Sequence, residues 1–279
     1  VTHVSHALRW TRRPAAIRFP RRCGLRLALR VLGVVALGVV LAALTTAPTG
    51  VRANCEPGAL DLWRAWPANG AVGVPTNAHV LVQVFGTPAY VSHAPALALR
   101  AASGEIVPLT AVLDLASGSP AMQQRTLVLR PERDLSQGTT YTLEETGTPT
   151  RTASPQSFTT GAGPDVASPT APSVVAAPFS RTPMGCGPVD EIALDARATD
   201  EGSILWLRLA IAADDAALAA GRIDGELIVP IAPGETTFGH GMCIGNWPLE
   251  PGDRLVARAT VMDSALHEVP AGEVVLDAR

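Results

Sequence analysis

A loop rich in proline, asparagine and glycine runs from Trp66 to Asn77 and feeds the unbroken apolar run Val80–Phe85. Gly, Pro and Asn mark places where a backbone must turn, and a short Val-rich run bounded by them reads as a β-strand. The chain beyond residue 54 keeps this texture, with runs of five to nine residues separated by Gly, Pro, Asp or Ser and no long amphipathic helix. The one helical signal is Asp214–Gly221, where two acids open an Ala-rich stretch and a Gly closes it; it reads as a single helical turn between strands. Short strands at this spacing predict an all-β chain built from antiparallel sandwiches.

Residues 1–53 stand apart from this pattern. They carry nine of the 22 Arg and no acid, then the 14-residue uncharged run Val31–Leu44. A basic segment, an apolar run of this length and small residues after it form the pattern of a secretory signal peptide, with Val51-Arg52-Ala53 as the cleavage sequence. Fourteen helical residues span roughly 21 Å against a hydrocarbon core of ~30 Å, so a cleaved signal is preferred to its alternative, an uncleaved anchor. Arg52 stands where a lipobox before Cys55 would need an aliphatic residue. The expected destination is export, to the periplasm, the cell surface or the medium.

From Asn54 onward 13 Arg face all 25 acids, a formal charge of about −12 with His neutral. Such a surface repels phosphate backbones and anionic lipid, so nucleic acid is excluded and a membrane enters only through an uncleaved N-terminal segment. The partners left are proteins or cell-envelope glycans. The remaining length suffices for two domains with their own cores. Gly161–Pro172 carries three Pro and two Gly without apolar periodicity and marks the boundary. The expected organisation is a signal peptide over 1–53, a first sandwich over 54–161, a linker over 162–172 and a second sandwich over 173–279.

In the first half, strands are expected at Leu60–Trp66, Val80–Phe85, Ala96–Ala101, Ile106–Asp114, Thr126–Arg130, Thr140–Glu145 and Ser157–Thr160. Three blocks occur in order: Pro-Ala-Asn-Gly-Ala-Val-Gly-Val-Pro from Pro67, Leu-x-x-Gly-Thr-Thr-Tyr-Thr-Leu from Leu135, and Ser-Phe-Thr-Thr-Gly ending at Gly161. Together they resemble a bacterial Ig-like domain of the S-layer-protein type over roughly residues 62–161. The resemblance implies a sandwich module of surface and secreted proteins, often in tandem, and no catalytic residues. Tyr141, at the start of a late strand, is placed like a tyrosine corner, in which a buried ring ties back a loop through its hydroxyl.

Alternation is cleaner in the second half. Ile192, Leu194, Ala196 and Ala198 share one face against Asp195, Arg197 and Thr199, and Leu205, Leu207, Leu209 and Ile211 form the next apolar row. Leu255, Ala257, Ala259 and Val261 follow, and Val274 and Leu276 finish. Period two with one polar face is what half-exposed antiparallel strands require, and this half resembles a generic Ig-like or fibronectin-III sandwich. Leu249, Gly252 and Leu255 repeat Leu135, Gly138 and Tyr141 at a constant offset of 114, with Leu in place of Tyr. Trp206 falls on the face opposite the Leu row, together with Arg208, and is expected to be covered by its neighbours or by the first sandwich.

Export and strand topology make Cys186 and Cys243 a disulfide, since their connections emerge at the same end of an up-and-down sandwich. Closing this loop would stabilise by about 4 kcal/mol in the chain-entropy account. Cys55 is left over as a free thiol, an interchain link or a competitor for Cys186. His240 and Cys243 have metal-ligand spacing, but zinc needs three or four ligands and the sequence supplies no complete set. Calcium at Asp200-Glu201 or Asp214-Asp215 is the other metal alternative, without an EF-hand loop. No cofactor is expected. The Gly-x-Ser-x-Gly elbow, the phosphate-binding glycine loop and His-Glu-x-x-His are all missing, so no enzyme is expected. The expected function is an exported non-catalytic Ig-like module with a structural, spacer or adhesive role. The alternative is a small-ligand or metal-binding protein using the loop end near Cys186, His240 and Trp247.

Overall fold

The computed structural model describes residues 62–86, 91–92, 96–118, 123–146, 156–184, 187–200, 204–231, 236–241 and 245–279. All lie in one compact unit, Ala53–Arg279. Cys55, Cys186, Cys243 and the 1–53 segment fall outside the described residues. Among the described residues no helix is long and apolar enough to cross a membrane.

The first sandwich is built from β1 (Leu62–Trp66), β2 (Ala71–Val74), β3 (Val80–Gly86), β4 (Leu97–Ala101), β5 (Ile106–Gly118), β6 (Gln123–Pro131), β7 (Thr140–Glu145) and β8 (Gln156–Thr160). Their order is β1-β3-β6-β5-β4-β7-β8-β2. The 13-residue β5 belongs to both faces: Ile106–Pro108 pair with β4, and the rest pairs with β6 across a register shift between Ala111 and Leu113. A bulge bends a long strand and lets it leave one sheet for the other. Val80, Val82 and Val84 enter the core beside Leu127, Leu129 and Phe158.

β2 is the strand that sequence reasoning reads as loop. It lies among Gly70, Gly73 and Pro75, which signal turns, yet it pairs in parallel with β8, Ala71 opposite Phe158. Side-chain chemistry pins it there. Asn69 Oδ1 accepts from the Ser157 N–H at 2.9 Å, and the Gly70 N–H donates to the Ser157 carbonyl at 2.7 Å. All other strand pairs described are antiparallel.

The second sandwich comprises β9 (Thr170–Ala176), β10 (Ser180–Met184), β11 (Gly187–Thr199), β12 (Trp206–Ala212), α1 (Asp215–Ala219), β13 (Gly225–Pro230), β14 (Thr237–His240), β15 (Arg254–Met262) and β16 (Glu268–Asp277). One sheet runs β10-β11-β14 with β9 also on β11, and the other runs β13-β12-β15-β16. The apolar rows of β11, β12 and β15 meet between them, with Ile192, Leu207, Leu209, Ile211, Ala259 and Val261 fully buried. α1 is the expected single turn, and Asp214 caps it by accepting from the Ala217 N–H at 2.7 Å. The fold is two tandem Ig-like β-sandwiches.

The 114-residue repeat corresponds to a shared corner. Gly138 and Gly252 both adopt positive φ, which glycine allows without a Cβ clash, and each donates its N–H to the end of the last strand region, Gly161 or Ala278. In the first sandwich the buried Tyr141 hydroxyl accepts from the Ser136 N–H at 2.9 Å. In the second, Leu255 has no hydroxyl, and the Asp253 carboxylate accepts from the Glu250 N–H at 2.8 Å. Ser136 and Glu250 are themselves 114 apart. The same backbone donor is satisfied by two different side chains.

The sandwiches share a buried junction. While Val80, Val82 and Val84 fill the first core, Leu81 points the other way and packs with Val128 of β6, Trp206 of β12, Ile228 of β13 and Met262 of β15, all fully buried. Burying five such side chains contributes on the order of 10 kcal/mol before ordering costs. Polar ties flank this patch. Gln83 Nε2 donates to the Ile228 carbonyl at 2.9 Å, and the His79 backbone N–H donates to the Ser264 carbonyl at 2.7 Å. Neighbouring domains move relative to one another by default unless their interface is apolar and well covered, and this one is.

Candidate functional site

Beside the junction lies a cleft of about 190 Å³ walled by both sandwiches. Strand alternation places its first wall. With Val82 and Val84 in the core, Gln83 and Phe85 of β3 face out, next to Arg64 and Trp66 of β1. The second wall is Glu191 of β11 with Thr237 and His240 of β14. β14 ends in a tight return that Asn246 closes. Its Oδ1 accepts from the Gly239 N–H at 3.0 Å, and its Nδ2 donates to the Thr237 carbonyl at 2.7 Å. Gly239 itself lies so close to β11 that a Cβ would overlap the Asp190 carbonyl.

Several polar groups of the cleft are already committed. Gln83 serves the junction, Asn246 serves the β14 return, and Gln124 Nε2 donates to Thr126 Oγ1 at 3.1 Å. Arg64 and Glu191 are not committed in this way. Among the described residues neither forms an ion pair, and the Arg64 guanidinium sits 5.9 Å from the Phe85 ring centroid in a cation–π contact. His240 Nδ1 is buried without a hydrogen-bond partner among the described residues. Among the described residues the cleft therefore combines aromatic walls with one cation, one anion and an imidazole.

Of the residues that sequence reasoning grouped at this end, His240 lines the cleft and Trp247 does not. Trp247 stacks on Phe238 at 5.7 Å and 27°, with its ring against Gly225, as part of the second core. Cys186 and Cys243 fall outside the described residues, but the strands that lead to them are neighbours, with Asp190 of β11 opposite His240 of β14. Asp190 is buried there with the Arg181 guanidinium 3.5 Å away.

Of the metal candidates read from the sequence, Cys243 and Glu201 fall outside the described residues. Asp214 is spent on capping α1. The structure instead brings Asp165, Asp263 and His267 within 4.8 Å of one another, a group absent from the sequence reading because its members lie on the connector and on the turn between β15 and β16. Asp263 is fully buried and accepts twice from His267, from Nδ1 at 2.7 Å and from the backbone N–H at 2.9 Å. Asp165 Oδ1 accepts from the Ala167 N–H at 3.0 Å. Hydrogen bonds thus engage both Asp263 oxygens and Asp165 Oδ1. The Asp263 hydrogen bond raises the His267 pKa above its ordinary value. His79, across the junction, is shifted the opposite way by burial, only partly offset by the Ser264 carbonyl 3.1 Å from its Nδ1.

No family model matches the chain, and no curated protein matches it. Among solved structures it is similar to the pullulanase of Anoxybacillus sp. LM18-11, complexed with maltotriose (9% identity, 72% of this chain and 25% of that chain, TM-score 0.20) and alone (10%, 71%, 24%, 0.20). It is also similar to the FN1–FN3 domains of chicken CNTN1, with 13% identity over 76% of this chain and 65% of that chain and a TM-score of 0.23. The chain spans about a quarter of the pullulanase chains and under two thirds of the CNTN1 chain. At these TM-scores the likenesses carry no functional argument, so the site is read from its own geometry.

Proposed function

We propose that this chain is an exported, non-catalytic tandem sandwich protein that serves as a rigid spacer or adhesive module in the cell envelope, in the manner of the S-layer-type Ig-like domains its first half resembles. The observation that supports this reading is the junction of Leu81, Val128, Trp206, Ile228 and Met262, which turns two sandwiches into one body. A flexible tether would not need a buried tryptophan between its modules, whereas a spacer that sets a distance does. Export is tested by fractionating the native cell and mapping the thiols by mass spectrometry. The reading expects the protein in the periplasm, on the surface or in the medium, with Cys186 linked to Cys243. A cytoplasmic pool with all thiols reduced contradicts it.

A second reading, a small-ligand-binding protein, is favoured by the cleft itself. Arg64 and Glu191, neither in an ion pair among the described residues, line one small cavity between domains, and pockets concentrate at domain interfaces and use few placed polar groups on apolar walls.

A further inference from the structure

We propose that the cleft between the sandwiches binds a single neutral sugar ring. The proposal rests on the ligand-binding reading and names its ligand class. Size sets the first limit. A cavity of about 150 Å³ admits a benzene ring, so the 190 Å³ here takes one six-membered ring with its substituents, and any further ring of a longer ligand lies outside it.

Charge sets the second limit. A wholly apolar guest would strip water from Arg64 and Glu191 and return no hydrogen bonds. An anion is attracted by Arg64 and repelled by Glu191, and a cation meets the reverse. A neutral polyhydroxylated ring avoids all three costs. Each hydroxyl both donates and accepts, so it can accept from the Arg64 guanidinium, donate to the Glu191 carboxylate and do either with the Thr237 hydroxyl. The apolar C–H edge of such a ring suits the aromatic wall of Trp66 and Phe85.

The source, a free monosaccharide or the terminal ring of an envelope glycan, shares this chemistry, and the experiment separates them. The full protein is titrated with methyl α-D-glucopyranoside, with methyl N-acetyl-β-D-glucosaminide and with a trisaccharide of each sugar, while the Trp66 indole and His240 ring signals are followed by NMR. Acetate and tetramethylammonium are titrated in parallel. The proposal expects saturable shifts with at least one sugar, with a Kd on the order of 1 mM for a ligand of this size. Arg64→Gln and Glu191→Gln, at surface positions, should each weaken it by roughly fivefold or more at unchanged Tm. A trisaccharide that binds more tightly than its methyl glycoside points to a glycan, and equal affinity points to a single ring; both support the proposal. If acetate or tetramethylammonium shifts these signals and no sugar does, the sugar assignment falls while the ligand-binding reading stands. If nothing shifts them, both fall. Sugar binding untouched by both substitutions places the site elsewhere and overturns the proposal.

Discussion

Asn77 and Asp165 exchange two hydrogen bonds of 2.8 Å, the asparagine Nδ2 donating to the Asp165 carbonyl and the Asp165 N–H donating to the asparagine Oδ1. One side chain thereby pairs with the connector as a neighbouring strand would. The Thr76 N–H adds a bond to the Gly163 carbonyl at 3.0 Å, so the segment between the sandwiches is held to the first at Gly163 and Asp165. Asn77→Ala leaves both Asp165 backbone groups without that partner and should cost about 1–3 kcal/mol in denaturant unfolding. It should also speed amide exchange at Asp165 and Ala167. Unchanged exchange there would mean that the connector is held by other contacts.

Trp206 separates packing from hydrogen bonding at the junction. Its indole Nε1 is buried without a partner among the described residues, so the ring acts there through its volume. Trp206→Ala should cost roughly 3–5 kcal/mol. Trp206→Phe, which keeps most of the apolar bulk and removes the unpaired N–H, should cost less than about 1.5 kcal/mol. Equal losses for the two variants would show that the indole nitrogen has a role the contacts do not reveal.

The two corners offer a matched pair. Tyr141→Phe removes the acceptor of the Ser136 N–H, and Asp253→Ala removes the acceptor of the Glu250 N–H. Each should cost about 1–2 kcal/mol in equilibrium unfolding. The sites lie in different sandwiches, so the double variant should fall within ~0.5 kcal/mol of the sum. A large coupling would show that the corners communicate through the junction.

The two junction histidines impose opposite pH limits. His267 has a folded pKa above 6.5 because Asp263 accepts from it, with Asp165 and the Ala167 carbonyl adding to the effect. Its stabilisation is therefore complete below pH 6.5 and is lost as pH rises through the folded value. His79 has a folded pKa below 6.5, chiefly from burial, with Arg130 lowering it further and the Ser264 carbonyl and Asp263 opposing. Its contribution is present above pH 6.5 and is lost as pH falls through the folded value. Stability should therefore peak between the two, near neutrality. His267→Asn should flatten the alkaline side only, and His79→Gln the acid side only. NMR titration should place His267 above His79, and the reverse order would contradict this account.

How much of this was legible in the sequence depends on whether the signal was local. The rows Leu207–Leu209–Ile211 and Ala257–Ala259–Val261 announce their sheets because one face is buried along its length and the other only in part, and period two survives. Val80–Phe85 breaks that period because both of its faces are covered, Val82 by its own core and Leu81 by the second sandwich. An unbroken apolar run in an antiparallel fold is therefore a legible sign of a covered outer face. The position of Trp206 opposite the Leu row is the matching sign from the partner side. The rest is not local. The cleft draws on residues from Arg64 to Asn246, and Asp165, Asp263 and His267 meet only after the connector is pinned. β2 escapes because glycines that signal turns also permit a short bulged strand.

The central claim is that two sandwiches form one rigid body. Residual dipolar couplings measured on the weakly aligned protein test it most directly, because each rigid unit reports its own alignment tensor. Couplings from β3, β6 and β7 fitted together with those from β12, β13 and β15 should share a single tensor in magnitude and orientation. Two tensors that differ in magnitude would mean that the sandwiches move independently, and would contradict the claim.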